Sequence, residues 1–175
     1  MNGIRILGGM VAAVATTLAL TGPAGAQTRT ATDPRVDARP YVDIVRATFT
    51  NTGDLVTARV RVRDLRWRGE FTLSLYTYDP EEGYFEITVR PHRDHTVGTT
   101  YGIMSRGGFS RGHCDGGVAT RFRVDRDIVR FAVRRSCVPQ IRRHPMIDFE
   151  ASSYSVSAHE SPRAYDDLRQ AVYHQ

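Results

Sequence analysis

Apolar and polar residues alternate one for one through most of the chain between Tyr41 and Arg134. Successive side chains of a β-strand point to opposite faces, so a period of two predicts strands with one buried face and one exposed face. No long segment of this stretch has the three-to-four-residue spacing of an amphipathic helix. The alternation therefore predicts an all-β fold.

Turn sequences divide the alternating stretch into hairpins. Across the turn at residues 51–54, pairing Phe49 with Val56 places the apolar residues of both strands on one face. In the second hairpin, pairing Leu75 with Ile87 does the same. We therefore expect antiparallel strands that bury one face each.

The third hairpin contains both cysteines of the chain. If Phe122 pairs with Val129, counting back along both strands brings Cys114 opposite Cys137, on the apolar face. An even number of cysteines in matched register predicts a disulfide in an oxidising compartment. Closing a loop of this size should stabilise the fold by about 3 kcal/mol.

The first 26 residues have the pattern of a secretory signal peptide. A positive charge at Arg5 precedes an apolar run at residues 6–20, and an Ala-x-Ala ending predicts cleavage after Ala26. A membrane-spanning helix needs about 20 apolar residues, more than this run provides, so we expect no membrane span. The mature protein is expected to be extracellular and monomeric.

The rest of the chain is predicted to form one domain. We expect a flexible lead-in at residues 27–40, the β-domain at residues 41–158 and a C-terminal tail at residues 159–175 that can form a short helix over residues 164–173. The segment at residues 106–117 is glycine-rich and predicted to be a loop. Seven to nine strands in hairpins favour an antiparallel two-sheet β-sandwich, with a β-barrel as the alternative.

Arginine is the only basic residue besides histidine, with 24 arginines and no lysine against 19 acidic residues. Several arginines fall on the outward phase of the predicted strands: Arg59, Arg61, Arg63, Arg121, Arg123, Arg130 and Arg134. In the third hairpin Arg121 faces Arg130, and like charges directly opposite each other are destabilising. Something is expected to compensate them.

Two explanations of the outward arginines remain open. In the first, neighbouring carboxylates such as Glu86 or Asp43 balance them, together with stacking and screening by solvent. In the second, Arg59, Arg61, Arg121 and Arg130 form a face that binds an acidic polysaccharide or wall polymer, because guanidinium groups bind carboxylate and phosphate in a fork. Nucleic acid is disfavoured as a partner outside the cell.

Aromatic residues also fall on the polar phase of the second hairpin. Tyr76, Tyr78 and Tyr84 share that phase, and Trp67 lies between two arginines. They either form a flat platform for sugar rings or a protein partner, or are covered by one end of the chain. Tyr76 is therefore a candidate ligand-binding residue.

Metal ligands and cofactor motifs are weakly represented. His92 and His95 share a loop with Asp94, and His113 is close to Asp115, but a metal site needs three or four converging ligands. The acidic segment at residues 79–83 has the residues of a turn rather than of a calcium loop. We expect no metal ion and no cofactor.

The chain has no motif of a serine hydrolase, a zinc protease or a phosphate-binding loop. A carboxylate pair such as Glu70 and Glu86 would suit a glycosidase if their separation allowed it. A small secreted hydrolase with a carboxylate-based site is therefore the alternative to a binding or structural domain. We expect a non-catalytic protein at the cell envelope or outside the cell, with an anionic polymer, a glycan or a protein as its partner.

Three segments carry a resemblance to other proteins: Ala47-Thr48-Phe49-Thr50-Asn51, Val60-Arg61-Val62-Arg63-Asp64-Leu65 and Arg134-Arg135-Ser136-Cys137-Val138-Pro139. With the leader, they resemble a group of uncharacterised secreted β-rich proteins from high-GC Gram-positive bacteria. The resemblance implies a secreted β-rich fold, and it carries no activity and no site residues.

Overall fold

The computed structural model describes residues 27–76, 83–138, 146–155 and 165–173, so the predicted signal peptide at residues 1–26 and its predicted cleavage site lie outside the described residues. Eleven strands account for most of these ranges. They are β1 (Gln27–Thr32), β2 (Ile44–Asn51), β3 (Leu55–Val62), β4 (Glu70–Tyr76), β5 (Tyr84–Pro91), β6 (Val97–Ser105), β7 (Gly108–Arg111), β8 (Val118–Arg123), β9 (Ile128–Arg134), β10 (Met146–Tyr154) and β11 (Tyr165–Tyr173). Short 3-10 turns follow β8 at Val124–Arg126 and β9 at Arg135–Cys137.

The strands form two antiparallel sheets. Sheet 1 has the order β1-β2-β3-β9-β8, and sheet 2 has the order β11-β10-β4-β5-β6-β7. The sheets pack against each other and do not close into a barrel, so the prediction of an all-β sandwich is confirmed and the barrel alternative is wrong. In the described ranges no helix is long and apolar enough to cross a membrane.

The core lies between the two sheets. Alternate residues of the central strands point inwards, and the largest fully buried side chains include Phe49, Phe71, Phe85, Phe131 and Phe149. The rings of Phe49 on β2 and Phe149 on β10 meet across the interior with their centroids 5.1 Å apart. Each sheet therefore keeps one outer face free to carry polar residues.

The third hairpin has the predicted register. Phe122 lies opposite Val129, and Cys114 and Cys137 form a disulfide with their Cα atoms 5.0 Å apart. The Cys137 side chain is buried, and Cys114 packs against the edge of the core. The bond therefore joins the residues just before β8 to those just after β9.

The other two predicted registers are wrong by two residues. Phe49 lies opposite Ala58, and Leu75 lies opposite Phe85. In the first hairpin the hydroxyl of Thr52 bonds the backbone of Leu55 and holds a turn that lies one residue later than predicted. A shift of two residues leaves every side chain on the same face, so alternation alone does not select between the two registers.

Three segments expected to lack strands each contain one, which raises the number of strands to eleven. β1 lies in the predicted lead-in, β7 in the predicted glycine-rich loop and β11 in the predicted tail, where a short helix was the other expectation. Each of these strands is at the edge of a sheet. An edge strand has a neighbour on one side only and buries less surface, so its apolar alternation is weak.

Candidate functional site

The outer face of sheet 1 carries a row of three arginines on three neighbouring strands. Arg59 on β3 lies directly opposite Arg130 on β9, and Arg130 lies opposite Arg121 on β8. Neighbouring strands are about 4.8 Å apart, so the backbones place these side chains side by side. The row continues on β2 and β1 with Thr48 and Thr30, whose hydroxyls are 3.2 Å apart.

A second row of arginines lies next to the first. Arg46 on β2 faces Arg61 on β3, and Arg123 stands at the same level on β8. Arg123 donates hydrogen bonds to both carboxylate oxygens of Asp125. Arg61 therefore belongs to the same face as Arg59, Arg121 and Arg130 but lies one row away from them.

Of the carboxylates expected to balance the outward arginines, Asp43 pairs with Arg63, and neither Asp43 nor Glu86 pairs with the row of three arginines. Asp43 is buried, and its Oδ2 accepts a hydrogen bond of 2.6 Å from Arg63. Glu86 lies on β5 in the other sheet. Within the described ranges, the exposed side chains of Arg59, Arg121 and Arg130 form no ion pair with a carboxylate.

A groove of about 460 Å³ runs along the row of three arginines. Its floor consists of small side chains that adjoin one another across four strands, namely Thr50, Thr57, Ala132 and Ala119. Arg59, Arg130 and Arg121 stand along one side of this floor. We call this feature the arginine groove; it runs across the strands.

The far side of the floor is also basic. The next outward residues along β3 and β9 are Leu55 and Arg134, which lie opposite each other. Leu55 is 37 % exposed, and the guanidinium of Arg134 lies over Gly116. Arg134 does not line the groove itself, so it adds positive charge beside the floor without forming a second side of the groove.

The arginine groove can hold negatively charged groups. Like charges on directly opposite residues of neighbouring strands repel each other, and here this occurs twice in succession. A carboxylate or phosphate between the guanidinium groups would remove the repulsion and accept paired N–H bonds. Because the row crosses three strands, the groove can hold several such groups in line.

Tyr76 does not share this site. It lies on β4 in sheet 2, where its ring packs on Tyr84 with centroids 4.8 Å apart. Its hydroxyl donates to Oε2 of Glu150 at 3.1 Å, and burial together with the Glu150 charge raises the pKa of Tyr76 to about 12. Of the five predicted ligand-binding residues, the structure brings the four arginines to one face and places Tyr76 in the opposite sheet.

The other aromatic candidates are also separate from the arginines. Trp67 is half-buried and stacks on His95 with ring centroids 4.8 Å apart, and it also packs on Phe122. Tyr78 lies outside the described residues. Among the described residues, Tyr76 and Tyr84 are the members of the predicted platform that lie together.

The metal and carboxylate candidates are dispersed. Nε2 of His113 lies 3.2 Å from Oδ1 of Asp115, and both side chains are fully exposed. No group of three or more metal-ligating side chains occurs among the residues that the structure describes. Glu70 forms an ion pair with Arg90, and most of the acidic turn at residues 79–83 lies outside the described ranges.

Sequence reasoning missed the floor of the arginine groove and the position of Glu150. Ala119 and Ala132 carry no chemical signal, and they matter only because β3 and β9 pair across a long stretch of sequence. Comparisons with protein-family models, curated proteins and solved structures found no match to this chain. Its function must be inferred from the arrangement of its own residues.

The half-buried carboxyl of Glu86 gives a first prediction. Burial raises the pKa of Glu86, and the charge of Glu70 adds to the shift while a hydrogen bond from Thr88 opposes it. The folded state therefore holds this proton more tightly than the unfolded state, so its contribution to stability falls as pH rises. The stability of Glu86→Gln relative to the parent should therefore increase as pH rises from about 4 to about 7.

Urea unfolding at both pH values measures this difference. Asp148→Asn, which removes an exposed carboxylate on β10 in the same sheet, is the control and should show no such gain. A difference between Glu86→Gln and the parent that is constant with pH would contradict the prediction.

Proposed function

We propose that this chain is a secreted, non-catalytic protein that binds an anionic polysaccharide or wall polymer in the arginine groove. The observation that carries the proposal is the row of Arg59, Arg130 and Arg121, side by side on three strands with no carboxylate paired to them in the described ranges. Guanidinium groups in such an arrangement offer forked donors to several acidic groups at once.

A polymer fits this groove better than a single small anion. The groove is open and crosses the strands, and its charged side repeats at the strand spacing of about 4.8 Å. Arg61 and Arg46 extend the positive charge into the next row, and Thr48 and Thr30 extend the groove side with hydroxyls. A linear chain with regularly spaced acidic groups can use all of these donors together.

Secretion is supported by the leader at residues 1–26 and by the disulfide between Cys114 and Cys137. Disulfides persist in oxidising compartments and are rare in the cytosol. The resemblance to secreted β-rich proteins of high-GC Gram-positive bacteria agrees with this location. Anionic polysaccharides and wall polymers are available outside such cells, which makes them the preferred class of ligand.

The test is binding to polygalacturonate by the mature protein and by the triple variant Arg59→Gln, Arg121→Gln, Arg130→Gln. The parent should bind at low salt and dissociate as salt rises, because binding neutralises fixed charges. The triple variant should bind about a hundredfold more weakly, which corresponds to about 3 kcal/mol. The side chains are exposed, so the variant should fold like the parent.

The matched control changes three other exposed arginines, Arg29, Arg93 and Arg106, to Gln, which removes the same net charge. It should keep most of the affinity. An equal loss in the control, or binding that does not weaken with salt, would show that the groove is not the site. Tighter binding to a DNA oligonucleotide, or release of shorter sugar chains on incubation, would contradict the proposed ligand or the non-catalytic role.

A further inference from the structure

The outer face of sheet 2 carries a row of large apolar side chains on an otherwise polar surface. Tyr76 on β4, Tyr84 on β5, Met104 on β6 and Phe109 on β7 are neighbours in register. None of the four belongs to the buried core cluster, and Phe109 is 47 % exposed. We call this feature the aromatic row; it spans about 14 Å across four strands.

The end of the aromatic row is shaped by a glycine. The Phe109 ring lies over Gly102, where an added Cβ would come within 2.8 Å of the ring. The same Cβ would come within 2.1 Å of the Ser110 carbonyl oxygen, so a larger residue would displace both the ring and the backbone of β7. The bare backbone of Gly102 therefore lets three aromatic rings lie on one face.

A carboxylate without a cation lies beside this row. Glu86 is half-buried on β5, between Ser74 and Gly102 on the neighbouring strands and between Tyr84 and Thr88 on its own strand. One carboxylate oxygen accepts a hydrogen bond from Thr88 at 3.1 Å. No described residue forms an ion pair with Glu86, and burial raises its pKa.

The other charges on this face have partners or lie further away. Glu70 pairs with Arg90, and Glu150 accepts a hydrogen bond from Tyr76. Arg111 is opposite Gly102 on the edge strand. Glu86 is thus a half-buried carboxylate next to the rings, and an incoming cation would neutralise its charge.

We infer that the aromatic row and Glu86 form a second binding site, for a glycan that carries amino groups. Sugar rings have flat apolar faces that stack on aromatic side chains, and an ammonium group on the ring would pair with the Glu86 carboxylate. The adjacent tyrosine rings add attraction for the same cation. The site lies in the sheet opposite the arginine groove and does not depend on the function proposed for that groove.

The test titrates the mature protein with a glucosamine tetramer and with its N-acetylated form, which has the same rings without the positive charge. The glucosamine tetramer should bind, and the N-acetylated tetramer should bind at least about tenfold more weakly. Glu86→Gln keeps the size of the side chain and should weaken binding of the charged tetramer by about tenfold. The affinities of this variant for the two tetramers should then be similar. Tyr84→Leu should weaken the binding of both tetramers.

Two control variants separate this site from others. Glu70→Gln removes a carboxylate that is already paired with Arg90 and should bind like the parent. The triple arginine variant should also bind like the parent, whatever its behaviour towards polygalacturonate. Absence of binding, equal affinity for both tetramers, no effect of Glu86→Gln, or equal binding of a tetralysine peptide would overturn the inference.

Discussion

The Phe149→Ala variant is expected to lose about 4 kcal/mol of the free energy of unfolding. Phe149 is fully buried on β10, and its ring meets that of Phe49 on β2, so it joins the two sheets across the core. Truncation removes this contact and leaves a cavity that the two sheets fill only in part. Urea unfolding, followed by far-ultraviolet circular dichroism, measures the loss.

Phe109→Ala provides the matched control, because it removes the same ring from an exposed position on β7. It should cost less than about 1 kcal/mol. The double variant Phe49→Ala, Phe149→Ala should lose less than the sum of the single losses, since both remove the same contact. A loss below about 2 kcal/mol for Phe149→Ala would contradict the packing described for the core.

The variant Cys114→Ala, Cys137→Ala is expected to lose about 3 kcal/mol. The bond joins residues 23 positions apart, and its removal restores conformational freedom to that loop in the unfolded chain. Alanine is chosen because Cys137 is buried, and serine would place a hydroxyl in an apolar site.

Urea unfolding with and without a reducing agent separates the bond from the side chains. The reductant should lower the stability of the parent towards that of the variant and leave the variant unchanged. Equal stability of the parent under both conditions, with the bond shown to be reduced by thiol titration, would contradict a stabilising role.

The inward and outward faces of the central strands follow from the sequence because burial imposes a period of two. The register of a hairpin followed from the sequence only where a second constraint was present. In the third hairpin Cys114 and Cys137 supplied it, whereas the turn after Asn51 left two registers open that bury the same residues. The hydrogen bonds of Thr52 decide between them, and alternation does not record those bonds.

The arginine groove was predictable in part. Arg121 and Arg130 are in one hairpin, so local pairing places them together. Arg59 joins them because β3 pairs with β9 across about seventy residues of chain, a contact that no local pattern specifies. For the same reason, the expected compensation by Glu86 failed, since the sequence does not say which sheet a strand joins.

The position of β8 links the disulfide to the arginine groove. β8 supplies Arg121 and Ala119, yet it is an edge strand with β9 as its hydrogen-bonded neighbour. Edge strands open more readily than central ones, and the Cys114–Cys137 bond ties the start of β8 to the end of β9. Reduction of this one bond would therefore loosen the strand that carries one of the three arginines along the groove.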